Sequence, residues 1–412
     1  MKYIVVLMDG MADEPLEVLN HQTPLEYAKT PTIDALAPYS EIGTVATLPK
    51  GFPKGSDTAN LNVLGYDPQK YYCGRSPLEA LSKGVTLRPH DITFRVNLVT
   101  LSEEEDVYEE KKILDHSADE ITTEEARELM AFIAENFNDT IRTFYSGISY
   151  RHLLVWEGGS LDISFTPPHD ILEQKIKDYQ PKGEGAAYFT QLMKQSYTLL
   201  KDHPVNKVRV AKGLKPANSL WVWGEGSKPK LPSFKEKYGL DGAVISAVDL
   251  IKGIGLGAGM TSIDVEGATG NVHTNYEGKK DAALEWLIHQ DKDFVYIHLE
   301  GPDECGHRQE VEGKIQAIEW IDERVIAPIV ATLDAKQLDY KLLITPDHPT
   351  PLRLRTHTDD PVPFLIYDST QKIAYTEKHY TEAYAKTTGH TINEGHTLMD
   401  YFLSKSLNKG TN

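Results

Sequence analysis

The feature that most constrains this chain is a set of short, nearly unbroken apolar runs: Tyr3–Met8, Gly242–Ala247, Phe294–Leu299, Tyr340–Thr345 and Pro363–Tyr367. A strand with one wet face alternates apolar and polar residues, whereas a strand covered on both faces reads as a continuous run. Helical patterns lie between these runs at Val248–Gly253, Ala282–His289 and Lys314–Leu333. Strands alternating with helices predict an α/β fold built on a doubly wound, mostly parallel sheet. The middle of the chain breaks the pattern. From about Arg88 to Leu231 it carries polar strands (Ile92–Thr100, Leu153–Glu157), the acidic stretch Ser102–Glu110 and a helical pattern over Thr123–Asn136. Segments rich in Gly, Pro and Ser at Tyr72–Pro77 and Gly224–Phe234 read as hinges. The expectation is a catalytic domain built from 1–75 and 236–412, with an inserted α+β cap domain over 76–235.

Composition narrows the function. Lys and Arg number 43 against 61 Asp and Glu, a net charge of −18. A nucleic-acid partner is therefore not expected, because phosphate-backbone binding needs a basic face. A small phosphorylated substrate stays open, since a few local cations reverse the field inside a cleft. Cys73 and Cys305 are too few for a disulfide scaffold or a cysteine-based zinc module. The N-terminal apolar run stops at Asp9, short of a signal peptide, and no later run has membrane-spanning length. The expected compartment is cytoplasmic, with no membrane partner; the sequence sets no oligomeric state.

Chemistry enters at the strand ends. Asp9 closes the first run, Asp303 follows FVYIHL and is spaced Asp-x-x-x-His from His307, and Asp347 and His348 follow YKLLIT. Ligands of open α/β sheets bind outside the carboxyl ends of the strands. Each residue alone also fits a helix cap or a surface ion pair, but three strands delivering Asp or His to one edge form a metal-site pattern. Carboxylate and imidazole without thiolate suit Mn²⁺, Zn²⁺ or Mg²⁺. In GSDTAN, Ser56 follows a Gly/Pro/Lys-rich loop and opens a helix-like run. It reads either as an N-cap or as a nucleophile at a helix start suited to phosphate. The glycines of GIGLGAG follow a helical run rather than a strand, which argues against a dinucleotide site, and no GxxxxGK[ST] loop exists.

The order Asp9…Ser56…Asp303-x3-His307…Asp347-His348…His396 resembles the alkaline phosphatase superfamily. More closely, GSDTANLNVLGYDP, PANSLWVWGEG, ISAVDLIKGIG, PDECGH and TPDHPTP resemble archaeal-type cofactor-independent phosphoglycerate mutases and their bacterial relatives, over essentially the whole chain. The resemblance implies two divalent ions, Mn²⁺ foremost, and no 2,3-bisphosphoglycerate. One ion would be held by Asp9, Ser56, Asp347 and His348, the other by Asp303, His307 and His396. Ser56 would carry the phosphoryl group, and Lys252 would hold substrate or the transferring phosphate. In the cap, Arg151, His152, His169 and Asp170 resemble substrate-facing positions; Arg suits an anion, while His or Asp suits a hydroxyl proton. Met8 stands where many relatives have Gly, and His273 where they usually have Asp. The implied activity interconverts 3- and 2-phosphoglycerate through a phosphoserine. The alternative is a homoserine kinase-like phosphotransferase of threonine biosynthesis using the same site, because DHPVNKVRVAKGLKPANS and RTHTDDPVPFLIYDS resemble that branch.

Overall fold

A computed structural model describes residues 1–371, 374 and 378–404. The chain divides into two compact units, Met1–Tyr72 with Lys230–Asn412, and Cys73–Pro229. The junctions follow Tyr72 and Pro229, against expected junctions after residues 75 and 235; the expected catalytic range up to 412 runs past the described residues.

The first unit is built on an eight-stranded sheet in the order Thr261–Ile263, Gly242–Ile245, Phe294–Leu299, Lys2–Met8, Tyr340–Thr345, Val362–Asp368, Ser40–Val45, Thr391–Ile392. The strands from Thr261–Ile263 to Tyr340–Thr345 run parallel, with Met8 opposite Leu299 and Leu7 opposite Thr345. Val362–Asp368 is antiparallel to both neighbours. A parallel return needs a crossover, usually helical, and the connection after Thr345 contains no helix. Ser40–Val45 has no counterpart among the expected strands, because SEIGTV lacks an unbroken apolar run. Ile4, Val6, Met8, Ile297 and Ile344 belong to a core shared with Ile318, Ile321 and Leu333 from the helices. Full burial of each such side chain is worth about 1.5–3 kcal/mol. The Lys314–Leu333 pattern forms two α-helices, Val311–Ile321 and Ala327–Ala335, joined by a π-helical turn at Asp322–Ile326. Pro328 lacks the N–H that would continue the regular ladder, which accounts for the wider turn.

The second unit is an antiparallel sheet. Asp91–Leu101 is flanked by Arg151–Glu157 and Ser219–Ser227; Arg142–Ile148 lies beyond Arg151–Glu157, and Ile113–Asp115 pairs with the end of the central strand at Thr100 and Leu101. Side chains alternate across the central strand. Phe94, Val96 and Leu98 join a core with Leu129, Ile133, Phe189 and Met193, where helices Thr123–Phe137 and Ala186–Leu200 pack. Arg95 and Asn97 belong to the other set, opposite Trp223 and Arg151 in register.

Candidate metal and phosphoryl-transfer centre

Three adjacent parallel strands bring three carboxylates together at their carboxyl ends: Asp303 after Phe294–Leu299, Asp9 after Lys2–Met8, and Asp347 after Tyr340–Thr345. Asp9, Asp303 and Asp347 are all buried. The turn after the first strand requires glycine. Gly10 has φ +63°, and a Cβ there would meet Asp303 Oδ1 and backbone at 2.6 Å, while its N–H donates to Asp347 Oδ1 at 3.1 Å.

Hydrogen bonds fix which histidine atoms face this cluster. Thr350 Oγ1 donates to Asp303 Oδ1, so it accepts from His348 Nδ1 at 3.2 Å. The lone pair of His348 Nε2 then points to Ser56 Oγ at 3.1 Å, beside Asp347 Oδ2 at 3.3 Å and Asp9 Oδ1 at 3.5 Å. Ser56 is the first residue of helix Ser56–Val63. His307 Nδ1 donates to the Arg355 carbonyl at 3.0 Å and His357 Nδ1 to the Lys54 carbonyl at 2.7 Å. Their Nε2 atoms face one another at 2.9 Å, each 3.3 Å from an oxygen of Asp303. Two imidazole nitrogens and a carboxylate converging in this way could hold a cation between them. Asp9 Oδ1, by contrast, is buried without a hydrogen-bond partner, an arrangement that costs free energy unless a ligand satisfies it.

The electrostatics point the same way. Burial, then the Asp347 and Asp303 carboxylates, push the Asp9 carboxyl well above its usual range. Asp303 stays well below the usual range: burial opposes its ionisation, but hydrogen bonds from His307 and His357 outweigh it. Burial takes His298 down to about 3, so it is neutral and adds no compensating charge. Its Nε2–H donates to Asp9 Oδ2 at 2.9 Å while Nδ1 accepts from Ser246 Oγ at 3.1 Å, which makes it a support for Asp9. The residues therefore fit two divalent ions, one among Asp9, Ser56, Asp347 and His348, the other among Asp303, His307 and His357. Each group has three or more oxygen or imidazole donors, of which Asp9, Asp303, Asp347 and His348 are buried, and is short of positive charge. Cys305 is buried and its thiol is pushed up to about 12, chiefly by burial, so it offers no thiolate.

His396 is the correction. It caps helix Thr397–Leu403 after the edge strand Thr391–Ile392, five strand positions from Phe294–Leu299, and lines a cavity with Leu48, Asn62, Asp67 and Asp359. The imidazole beside Asp303 and His307 is His357. It lies nine residues beyond His348 on the same loop, and that spacing was the available signal. Sequence reasoning also missed Lys279 and Glu300. Lys279 is fully buried, donates to the His298 carbonyl at 2.9 Å and is held down to about 8 by burial. Glu300 is pushed up to about 8 by burial and Asp303. Lys252 pairs with the exposed Asp264 at 2.6 Å.

In the second unit the structure gathers part of the expected set. His169 lies 3.7 Å from Asp170 and packs its ring edge-on against Trp223 at 5.3 Å. Arg95 lies over the same Trp223, whose indole N–H donates to Asn97 at 2.9 Å, so this tryptophan belongs to a polar cluster as well as to packing. Arg151 is exposed over Tyr150. His152 departs from expectation. It is 2 % exposed, accepts the Gly147 N–H at 3.0 Å and is taken down to about 3 by burial, so it presents neither charge nor surface to a ligand. His273 is exposed and packs against Trp320.

Comparison with known proteins agrees with this geometry. Residues 37–206 match the 2,3-bisphosphoglycerate-independent phosphoglycerate mutase family, and residues 175–350 match the type I phosphodiesterase / nucleotide pyrophosphatase family. A Geobacter sulfurreducens protein named as a probable 2,3-bisphosphoglycerate-independent phosphoglycerate mutase is 49 % identical over 98 % of this chain and 100 % of its own length. A Methanosarcina barkeri protein named as that mutase is 46 % identical over 94 % of this chain and 95 % of its own. A Pyrococcus horikoshii structure superposes with a TM-score of 0.82 at 29 % identity, covering 100 % of this chain and 99 % of that one. The cofactor-independent phosphoglycerate mutase of Thermoplasma acidophilum gives 0.68 at 27 % identity, covering 98 % and 99 %. With relatives this similar along nearly their entire length, the chain belongs to the 2,3-bisphosphoglycerate-independent phosphoglycerate mutase family.

Proposed function

We propose that the chain is an isomerase that interconverts 3-phosphoglycerate and 2-phosphoglycerate through a phosphoserine on Ser56, without 2,3-bisphosphoglycerate. The observation that carries this reading is Ser56 Oγ, 3.1 Å from His348 Nε2 at the rim of a buried three-carboxylate cluster. Asp9, Ser56, Asp347 and His348 would hold one divalent ion and Asp303, His307 and His357 the other, with Mn²⁺ preferred and Zn²⁺ or Mg²⁺ as alternatives. When bound, such ions lower the pKa of the serine hydroxyl and neutralise charge on the phosphoryl oxygens.

Ser56 Oγ gives up its proton and forms a bond to phosphorus as the bond to the 3-oxygen of glycerate breaks, and that oxygen takes up a proton. On return, the 2-hydroxyl gives up its proton and attacks phosphorus, the Ser56 Oγ–P bond breaks, and Ser56 Oγ takes a proton back. Opening the helix Ser56–Val63, Ser56 lies at the positive end of the helix dipole, which favours an anion. Lys252 is assigned to the transferring phosphoryl group, exchanging its exposed partner Asp264 for substrate. Arg151 is assigned to the glycerate carboxylate, and the His169–Asp170 pair to the hydroxyl proton. A cytoplasmic location fits this substrate; among the described residues no helix is long and apolar enough to cross a membrane.

Phosphorus NMR on metal-stripped protein reloaded with Mn²⁺, then freed of excess ion, tests the reading. Conversion of 3- to 2-phosphoglycerate without added bisphosphoglycerate, abolished by Ser56→Ala, is expected. Absence of conversion by the wild-type protein, with phosphohomoserine formed instead from homoserine and ATP, would overturn the substrate assignment.

A further inference from the structure

Helix Ser56–Val63 carries a buried polar side chain, Asn60, one turn beyond Ser56. Asn60 is fully buried, and its Nδ2 donates both hydrogens, one to the Ser56 carbonyl at 2.8 Å and one to Asp347 Oδ2 at 2.8 Å. Its Oδ1 accepts the hydroxyl of Tyr296, a buried residue of the central strand Phe294–Leu299, at 2.6 Å. A carboxamide has two N–H donors and one carbonyl, so only one orientation satisfies these neighbours. Flipped, it would set an oxygen against both a carboxylate and a carbonyl. The other Asp347 oxygen, Oδ1, is already held by the N–H groups of Gly10 and His348 at 3.1 and 2.9 Å.

We propose that Asn60 is a positioning residue of phosphoryl transfer, locking the nucleophile Ser56 and the carboxylate of Asp347 into one rigid unit, with Tyr296 setting the orientation of its carboxamide. The inference rests on the reading of Ser56 and Asp347 given above. Its logic is that of supports behind metal ligands, whose loss commonly costs roughly 10- to 100-fold in metal affinity or activity. Ser56 and Asp347 come from segments far apart in the chain, and the Asn60 carboxamide bonds to the main-chain carbonyl of one and the carboxylate of the other.

The test uses full-length Asn60→Ala and Tyr296→Phe beside the wild-type protein. Mn²⁺ affinity is read from the free-ion electron paramagnetic resonance signal during titration of metal-stripped protein, and kcat and KM for 3-phosphoglycerate are measured at saturating Mn²⁺. Asn60→Ala is expected to weaken Mn²⁺ binding and lower kcat, each by roughly 10- to 100-fold, with KM changed less than about threefold. Tyr296→Phe, which keeps the ring and loses only the donor, is expected to shift both in the same direction by a smaller factor. Should Asn60→Ala fail to fold, Tyr296→Phe decides by itself. Wild-type Mn²⁺ affinity and kcat in the folded variants, or a change confined to KM, would overturn the inference. A wild-type protein that binds Mn²⁺ but does not convert 3-phosphoglycerate would instead overturn the substrate reading, and the Mn²⁺ titrations would still judge Asn60.

Discussion

The carboxylate centre of the first unit and the Trp223 cluster of the second are both polar groups set on a sheet, yet they are held differently. In the centre, Asp347 is bonded through both oxygens, and His307, His348 and His357 are each tied through Nδ1 to a carbonyl or to Thr350. Around Trp223, His169 and Asp170 are part-exposed side chains joined by a single 3.7 Å contact. The first arrangement fixes atoms before any ligand arrives, as stabilisation of a transition state requires. The second leaves freedom to adapt, as recognition of a substrate allows. Damage to the centre should therefore appear in kcat and metal content, and damage to the second cluster in KM.

The largest effect belongs to the nucleophile. Ser56→Ala should lower kcat by roughly 10⁴-fold or more, with mass spectrometry showing no phosphorylated protein. Retained turnover would break the contrast at its root. Next come the two competing histidines. His357→Ala should cost roughly 100-fold or more in affinity for one of the two ions, the scale of a lost ligand or more than a lost support. His396→Ala should stay within about twofold; metal titration by calorimetry distinguishes them. Smaller again, Arg151→Ala should raise KM for 3-phosphoglycerate roughly tenfold, equivalent to about 1.4 kcal/mol. A steady-state kinetic series showing kcat falling instead would move Arg151 into the chemical step.

The smallest effects concern stability, where one buried group from each unit contributes a pH dependence of opposite sign. Burial lowers His152 of the second unit from 6.5 to about 3, so the unfolded chain binds the extra proton first. That contribution is present above about 6.5 and is lost as pH falls toward 3. Burial raises Glu382 of the first unit from 4.5 to about 7, so the folded chain holds the proton longer. Stability then falls as pH rises from 4.5 through 7. Urea unfolding of His152→Gln across the acid range should show a flatter pH dependence, and Glu382→Gln should do the same between pH 4.5 and 7. An unchanged slope in either variant would remove that residue from the account.

What the sequence made legible follows the same division. Unbroken apolar runs reported the parallel core, because strands covered on both faces have no polar alternation to obscure them, and Asp9, Asp303 and Asp347 fell at their ends. His357 was obscured because it lies in the connection following His348, where no periodicity marks which imidazole turns inward. The family resemblance pointed to His396, but the structure sets it at the N-cap of Thr397–Leu403, lining a cavity with Leu48, Asn62 and Asp359, while His357 takes the place beside Asp303 and His307. The reversed strand Val362–Asp368 has the same composition as a parallel one; only its helix-free connection separates the two. In the second unit, Arg151 and His152 are sequence neighbours, yet one is exposed and the other buried, a difference set by tertiary packing.

The most direct test of the central claim is a crystal of the protein equilibrated with Mn²⁺ and measured for anomalous scattering. Two peaks are predicted, one among Asp9, Ser56, Asp347 and His348 and one among Asp303, His307 and His357. A single peak, or a second ion bound through His396 with His357 uninvolved, would contradict the account.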